Sequence, residues 1–361
     1  MKIIHLIYSL CAGGAERFVA GLANAQGQMG HDVQVCILLT DKEEANVFNK
    51  QFLNSSVAFH AIGLDPGFNL KKLNHVEQYI LSQRPDVVHC HLNVIPYIYR
   101  LAFKSRQIKF VHTLHSVAPN TLGSSVQYPL NYLYYRFGYI TPVTISDKCD
   151  LSYREFYRLH NSVCIENGCE SLTSSSLFAE VKNEVESYKR SPDTKVYIHV
   201  ARFHSLKNQK LLISAFNNLL TCGYDACLLI IGDGFHSIEG AALKELALDG
   251  IHFLGLKNNV GDYLKCADAF CLSSVHEGLP ISLLESLALG VVPICTRVGG
   301  IPDVIEDGKT GILAEPELNS YTAALMRLYT CNIDTNDLKL CYKIHYSMEV
   351  CAEKYLSIYM K

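Results

Sequence analysis

Short runs of almost wholly apolar residues alternate along the first half of the chain with longer segments in which apolar residues recur every three or four positions. The runs are typical of strands buried on both faces of a sheet, and the longer spacing is typical of helices packed against it. The predicted strands are 3–9, 32–39, 86–91, 109–114 and 142–146, and the predicted helices are 16–29 and 73–83. This alternation predicts a parallel sheet with helices on both faces.

A polar, irregular stretch at 169–194 interrupts the pattern, and a second α/β alternation follows it. Its predicted strands are 195–201, 226–231, 252–254, 269–272 and 292–296, with helices at about 210–220, 238–248, 260–265 and from residue 280 onward. A chain of 361 residues is long enough for two ordinary cores. We therefore expect two α/β domains, 1–168 and 169–347.

Composition narrows the class of protein. The net charge of −3 gives no basic field for nucleic acid. The 14 cysteines form no C-x-x-C pair, and residues 1–10 are a short strand-like run without the pattern of a secretory leader. No apolar run approaches the ~18 residues that span a bilayer. These features predict a cytoplasmic protein with reduced, buried thiols.

The segment 273–313 carries the most informative chemistry. Glu277 and Glu285 stand eight positions apart, separated by a Gly-Leu-Pro turn and the first turns of a predicted helix. Pro280 suits the first helical position, and Gly290 suits the residue just beyond the helix end. A helix start offers free N–H groups to an anion, and two carboxylates can accept hydrogen bonds from hydroxyls. Phosphates and hydroxyls together indicate a sugar nucleotide.

Six further motifs occur in a consistent order along the chain. They are GGAER at 13–17, PDVVHCHL at 85–92, VHTLHS at 111–116, IENG at 165–168, VARFHSLKN at 200–208 and IIGDG at 230–234. With the two glutamates, they resemble the motifs of glycosyltransferase family 4, a family of retaining enzymes with the GT-B fold. The resemblance implies two Rossmann-like domains with parallel sheets facing a central cleft. It assigns 1–168 to the acceptor and 169–347 to the nucleotide-sugar donor, and it returns the last helix, 348–361, to the first domain through Tyr355, Leu356 and Tyr359.

The resemblance also implies residue roles in the donor site. Arg202 and Lys207 would neutralise the diphosphate, because both follow a strand at the ligand-binding edge of a parallel sheet. Glu277 would contact hydroxyls of the donor sugar, and Glu285 the two ribose hydroxyls. The full donor set is Gly13, Gly14, Arg202, Lys207, Gly232, Leu256, Glu277, Gly278, Leu279, Pro280, Ile281 and Glu285.

Histidines at strand ends are the candidates in the acceptor domain. The resemblance places His115 nearest the reacting sugar, as a catalytic residue beside Arg202, Lys207 and Glu277. It gives the acceptor contacts as Gly14, His91 and His115. We interpret His89 and His112 as structural, and His276 is a candidate donor contact because it adjoins Glu277.

No D-x-D motif occurs, which predicts a metal-independent enzyme with no metal site and no cofactor, the nucleotide sugar being a co-substrate. Neither glycine-rich turn matches G-x-G-x-x-G, which argues against NAD. The nucleotide is predicted to be a UDP- or GDP-sugar. The implied reaction is a front-face substitution that keeps the anomeric configuration.

A basic set in the first domain lies near the aromatic segment 128–139. Its members are Arg100, Lys104, Arg106, Lys109 and Arg136. Such a combination predicts peripheral contact with the anionic inner face of the cell membrane and a lipid-linked saccharide acceptor in surface polysaccharide biosynthesis. Ordinary packing of the tyrosines is the alternative. Two other functions stay open: a sugar-nucleotide 2-epimerase and an inactive binding homologue. A glycosidase that uses the two glutamates is disfavoured, because Glu285 lies in the largely apolar segment LLESLALG.

Overall fold

The computed structural model describes all 361 residues and divides into two compact units. Unit 1 consists of Met1–Glu170 together with Tyr346–Lys361, and unit 2 is Ser171–His345. Each unit contains one fully parallel sheet with its own hydrophobic core. The fold is therefore α/β with two Rossmann-like units.

Unit 1 contains a seven-stranded sheet in the order β3-β2-β1-β4-β5-β6-β7. The strands are β1 Lys2–Ile7, β2 Asp32–Leu39, β3 Ala58–Leu64, β4 Val87–His91, β5 Lys109–Leu114, β6 Thr141–Thr144 and β7 Val163–Cys164. The helices before the unit boundary are α1 Gly14–Gln28, α2 Leu70–Gln83, α3 Tyr99–Lys104, α4 Gln127–Arg136 and α5 Asp147–Tyr157. The central strands β1 and β4 are almost wholly buried, which is why they appear in the sequence as apolar runs.

The last helix, α14 (Met348–Tyr359), belongs to unit 1 and packs against α1. Ser347 caps its N-terminus by accepting a hydrogen bond from the Val350 N–H. Tyr355, Leu356 and Tyr359 are buried on its inner face. The hydroxyl of Tyr355 lies 2.9 Å from that of Thr113 at the end of β5. Helix α14 thus contacts the unit 1 sheet near the carboxyl end of β5.

Unit 2 contains a six-stranded sheet in the order β10-β9-β8-β11-β12-β13. The strands are β8 Lys195–Val200, β9 Ala226–Ile231, β10 Ile251–Gly255, β11 Ala269–Leu272, β12 Val292–Thr296 and β13 Ile312–Ala314. The helices are α6 Phe178–Ser187, α7 Gln209–Thr221, α8 Ile238–Glu245, α9 Val260–Lys265, α10 Ile281–Leu289, α11 Ile301–Val304, α12 Leu318–Arg327 and α13 Thr335–Cys341. Strand order reverses beside β8, so the loops after β8 and β11 meet where such sheets bind ligands.

The structure corrects two parts of the sequence prediction. The stretch 169–194 is not irregular throughout, because it contains α6, whose Val181 and Val185 are buried one helical turn apart. The strands β3, β7 and β13 were not predicted. Two of them are very short, and β3 is a half-exposed edge strand whose residues lack a continuous apolar run. None of the helices is both long and apolar enough to cross a membrane.

Candidate functional site

The loops after β8, β9 and β10 are hydrogen-bonded to one another at the carboxyl-terminal edge of the unit 2 sheet, where the strands end. The Phe203 N–H donates to the Asp233 carbonyl at 2.7 Å, and the Gly232 N–H donates to the Gly255 carbonyl at 2.9 Å. Gly232 has φ +153°, and a Cβ there would lie 2.0 Å from the carbonyl oxygen of Ala201. Only glycine permits this approach, so the IIGDG turn supports the backbone that carries Arg202.

Arg202 itself is exposed and makes no ion pair. Its carbonyl accepts a hydrogen bond from the Gln209 side-chain amide at 3.0 Å, and Gln209 is buried at the start of α7. The guanidinium is therefore available at the surface while its backbone is fixed. Gln209 was not predicted from the sequence, because a glutamine at a helix start gives no signal of its own.

Lys207 and Glu277 form the charged centre of this edge. Lys207 Nζ lies 2.6 Å from Glu277 Oε1, and the Ser274 hydroxyl donates to the same oxygen. The glutamate side chain is only 8% exposed, whereas the lysine side chain is 24% exposed. The two loops are also joined by the Ser273 hydroxyl, which donates to the backbone carbonyls of Lys207 and Asn208. Two residues predicted to act on different parts of a ligand are thus directly paired.

A pair of glycines after β12 supports the loop that carries Glu277. Gly299 has φ +59°, and a Cβ there would lie 1.8 Å from the Glu277 carbonyl oxygen. The Gly300 N–H donates to the Gly278 carbonyl at 2.9 Å. The role of this Val-Gly-Gly-Ile turn was not predicted from the sequence. Its glycine pair was the available signal, since consecutive glycines mark close backbone approach.

Helix α10 begins one residue later than predicted. Pro280 is extended, with φ −72° and ψ 128°, and caps the helix rather than opening it. Gly290 ends the helix in the left-handed conformation, with φ +74°, as predicted. Glu285 lies in the second turn and is half-buried. The helix begins directly after the loop that carries Glu277, and its first N–H groups have no partner within the helix.

Two other predicted donor contacts lie in loops of unit 2. Leu256, directly after β10, is 47% exposed, which is a large exposed fraction for leucine. His276 Nε2 is buried without a hydrogen-bond partner. A buried polar atom normally has a partner, so an unpartnered histidine nitrogen beside Glu277 favours a ligand contact there.

In unit 1, the GGAER motif opens helix α1. Gly13 is the extended cap residue and Gly14 the first helical residue. A Cβ at Gly13 would lie 2.2 Å from Glu16 Oε2, and the Cys11 thiol donates to the other oxygen of that carboxylate. The Glu16 side chain therefore folds back over the two glycines at the positive end of the helix.

His115 comes directly after β5 and is half-buried. Its Nε2 lies 3.1 Å from His91 Nδ1, and His91 Nε2 lies 3.0 Å from His5 Nδ1. His91 has no exposed surface. Both ring nitrogens of His91 bond to other histidines, so His91 contacts His115, and its role as an acceptor contact stays a prediction. His5, a polar residue within an apolar strand, was not predicted to take part.

Burial keeps this group of histidines neutral. Desolvation lowers the pKa of His5 and of His112 to about 4 and that of His115 to about 3. The pKa values of His89 and His91 also lie well below their usual range, because of burial and of repulsion from neighbouring rings. Unlike the edge of unit 2, this edge offers uncharged nitrogen atoms.

His5, His89 and His91 are close enough together to hold a metal ion, with one ring nitrogen from each lying within 4.8 Å of the others. Every ring nitrogen of the three already has a hydrogen-bond partner: His89 bonds to Thr113 and Tyr359, and His5 bonds to Gln26 as well as His91. A metal ion would have to replace several of these bonds. His112 bonds to Tyr135 and to the Leu92 carbonyl, consistent with the structural role assigned to it.

Comparisons with known proteins add to this geometry. Residues 12–157 match the family model for glycosyltransferase family 4, and residues 180–340 match that for glycosyl transferases group 1. The chain is 30% identical over 283 residues to N-acetyl-alpha-D-glucosaminyl L-malate synthase from Bacillus anthracis, spanning 74% of this chain and 72% of that one.

Two further comparisons concern a second curated enzyme and a solved structure. The chain is 24% identical to UDP-Gal:alpha-D-GlcNAc-diphosphoundecaprenol alpha-1,3-galactosyltransferase from Escherichia coli, over 72% of this chain and 70% of that one. The crystal structure of HepE from Anabaena in complex with UDP-glucose matches with a TM-score of 0.78 at 16% identity, covering 99% of both chains. At that identity the likeness concerns the fold alone.

Proposed function

Because this chain belongs to glycosyltransferase family 4, we propose that it transfers a sugar from a UDP- or GDP-sugar to an acceptor hydroxyl with retention of configuration and without a metal ion. The observation that carries the proposal is the edge of the unit 2 sheet. An exposed arginine, a lysine–glutamate pair and the start of α10 lie together there. They match the charges and hydroxyls of a sugar nucleotide.

In the proposed reaction, the bond between the anomeric carbon and the β-phosphate oxygen breaks, and its electron pair stays on the phosphate. Arg202, Lys207 and the N–H groups of α10 stabilise that developing negative charge and so take the place of a metal ion. The acceptor oxygen bonds to the same face of the anomeric carbon, and its proton passes to the leaving diphosphate. Glu277 accepts hydrogen bonds from sugar hydroxyls while it holds Lys207, and Glu285 accepts from the ribose.

A thermal-shift panel tests the donor site. Purified protein in EDTA is heated with UDP, GDP, their sugar conjugates and NAD. Ligand at 100 times its dissociation constant stabilises by about 2.7 kcal/mol. We expect a shift with one nucleoside diphosphate that disappears in Glu285→Ala and persists in Glu186→Ala, a surface glutamate of α6 that is paired with Lys189. A shift with NAD alone, or with none of these ligands, contradicts the proposal.

Product analysis tests the rest of the reaction. Transfer should continue in EDTA, the anomeric configuration should be kept, and intact mass should show no glycosyl–enzyme adduct. An adduct would contradict front-face substitution. Epimerised sugar formed from donor alone would instead indicate an epimerase.

We also propose that the acceptor is a lipid-linked saccharide and that unit 1 contacts an anionic membrane. Helix α4 and its flanks expose an apolar stripe with spacings of four, three and four residues: Val126, Leu130, Leu133 and Phe137, which are 71%, 39%, 44% and 62% exposed. Arg136 and Lys104 are exposed cations of the same unit, and Arg106 stacks on Tyr139 at 4.1 Å. Apolar and basic surface together suit anionic headgroups. Arg100 is excluded from the predicted basic set, because it pairs with Glu77.

Sedimentation with vesicles of anionic phospholipid tests this contact. Wild-type protein should sediment at low salt, and Leu130→Ser/Phe137→Ser should not. Leu318→Ser, a similarly exposed leucine of unit 2, is the matched control and should behave as wild type. Wild-type protein that stays in the supernatant at low salt would remove the membrane proposal and leave the donor site unaffected.

A further inference from the structure

We propose that Gln26, at the buried end of a row of three histidines, fixes the tautomer of His115 so that its Nδ1 lone pair accepts a hydrogen bond from a substrate hydroxyl. The row runs from Gln26 through His5 and His91 to His115. This proposal rests on the proposed function only for the identity of the substrate hydroxyl. Gln26, His5 and His91 are positioning residues, because they act on the substrate through His115.

The direction of each bond in the row follows from Gln26. The Gln26 oxygen lies 2.8 Å from His5 Nε2, so that nitrogen carries the proton and donates. His5 Nδ1 is then an acceptor, and His91 Nε2 donates to it. His91 Nδ1 becomes an acceptor in turn, and His115 Nε2 donates to it. A neutral imidazole has one donor and one acceptor, so His115 Nδ1 must carry a lone pair.

A second branch from Gln26 is compatible with the same orientation of its amide. The Gln26 NH₂ donates to the Tyr359 hydroxyl at 3.3 Å, and that hydroxyl donates to His89 Nδ1 at 2.6 Å. His89 Nε2 then donates to the Thr113 hydroxyl, which can donate to Tyr355. Turning the Gln26 amide over would reverse every bond in both branches. One buried amide therefore selects between two self-consistent networks.

The proposed tautomer requires that the imidazole rings of the row are neutral, and burial keeps them neutral. Gln26, His5 and His91 have no exposed surface. The pKa of His5 is lowered to about 4 and that of His115 to about 3, so both rings are neutral at pH 7 and each carries a single proton. His115 therefore accepts a hydrogen bond and orients a substrate hydroxyl. It does not take up the proton of the acceptor substrate, which passes to the leaving diphosphate.

The only ring nitrogen in the row without a protein partner is His115 Nδ1. His115 is also the only half-buried member, at the end of β5. The opposite tautomer would present an N–H there and would bond to a hydroxyl oxygen instead. The Gln26 orientation thus decides whether a hydroxyl is bound through its proton or through its lone pair.

The test is ¹⁵N NMR of the full-length protein labelled at histidine, at pH 7.5, with His115 assigned by His115→Gln. In the wild type, His115 should show an unprotonated Nδ1 and a protonated Nε2. In Gln26→Met, which removes the acceptor of His5, the ratio of the two His115 tautomers should shift by roughly fivefold, the equivalent of one ordinary hydrogen bond. In Tyr355→Phe, at the far end of the second branch, the ratio should stay as in the wild type.

A protonated Nδ1 in wild-type His115 would overturn the inference even if no variant folded. An unchanged ratio in Gln26→Met, or one mole of zinc bound per chain to the histidines, would overturn it as well. None of these results depends on the donor. Stabilisation by a nucleoside diphosphate should persist in Gln26→Met, so failure of the tautomer result and failure of the proposed function are separate outcomes.

Discussion

The two sheets of this protein each place candidate ligand-binding residues at the carboxyl ends of their strands, but the chemistry of these residues differs between the sheets. In unit 1, neutral histidines are bonded to one another in a buried row that emerges at His115. In unit 2, a lysine and a glutamate are paired beside an exposed arginine and a helix start. A neutral nitrogen suits a hydroxyl and cations suit phosphates, so under the proposed function unit 1 would bind the acceptor and unit 2 the donor.

The difference also lies in how the two edges are held. The unit 1 edge is fixed by side-chain hydrogen bonds between strands, with α14 contributing two tyrosine hydroxyls. The unit 2 edge is fixed by backbone contacts between loops, at positions where only glycine fits. The first edge should therefore respond to proton concentration, and the second should respond to added side-chain volume.

Acidification should produce the largest difference in stability between the two units, because it destabilises unit 1 more than unit 2. Burial lowers the folded-state pKa of five histidines in unit 1, to about 4 for His5 and His112 and to about 3 for His115, and it holds the pKa values of His89 and His91 well below their usual range. Unit 2 has one fully buried histidine, His199, with a pKa of about 4. In the unfolded chain the pKa is about 6.5. The unfolded state thus binds more protons between roughly pH 6.5 and 4, and the free energy of unfolding falls as the pH falls through that window.

Each histidine with a lowered pKa should reduce the free energy of unfolding by about 1 kcal/mol when the pH falls from 7 to 5.5. Hydrogen exchange followed by mass spectrometry, corrected for intrinsic rates, should show peptides of unit 1 losing protection first. Equal loss in both units would contradict the comparison.

Gly299→Ala should have the next largest effect, and it acts on unit 2. The new Cβ would collide with the Glu277 carbonyl, and the left-handed backbone adds strain, so we expect a loss of about 3 kcal/mol in the free energy of unfolding. Gly223→Ala is the matched control, because Gly223 has φ +86° but open space at its Cβ position. It should lose about 1 kcal/mol. Urea unfolding of both variants makes the measurement, and equal losses would show that the loop approach is not constraining.

Lys207→Met should destabilise unit 2 by about 2 to 3 kcal/mol, because it leaves the buried Glu277 carboxylate without its cation. The double variant Lys207→Met/Glu277→Gln should recover most of that loss. Lys309→Met removes a pair in which both side chains are well exposed and should change stability by less than about 0.5 kcal/mol. A double-mutant cycle without coupling would show that the pair contributes nothing.

Tyr359→Phe should have the smallest effect of the four, about 1 kcal/mol in unit 1, because it removes one buried hydroxyl that joins Gln26 to His89. Tyr329→Phe is the matched variant in unit 2, where the hydroxyl donates to the Asp225 carbonyl at the surface. Thermal unfolding should show a larger change for Tyr359→Phe. The reverse order would mean that the buried network contributes little to stability.

The sequence predicted most of the strands that form the two sheets, because central parallel strands are apolar throughout. It also indicated His115, Arg202, Lys207 and the two glutamates as candidates, because they follow strands or lie before or within the first two turns of a helix. It missed Gln26, His5 and Gln209, and the role of Gly299. These residues act by contacting backbone or side chains that are distant in the sequence, and neither spacing nor residue type marks such contacts.

The positions of the apolar runs, the chemical types at the ends of the strands and the family motifs were determined by the sequence alone. Strand order decided the rest. His5 lies opposite His89 because β1 pairs with β4, and His91 lies opposite Thr113 because β4 pairs with β5. Lys207 meets Glu277 because β8 and β11 are neighbours, although 70 residues separate the two side chains along the chain. Side-chain contacts of this kind follow from the register of a folded sheet, whose side chains alternate between its two faces, and so only the tertiary structure decides them.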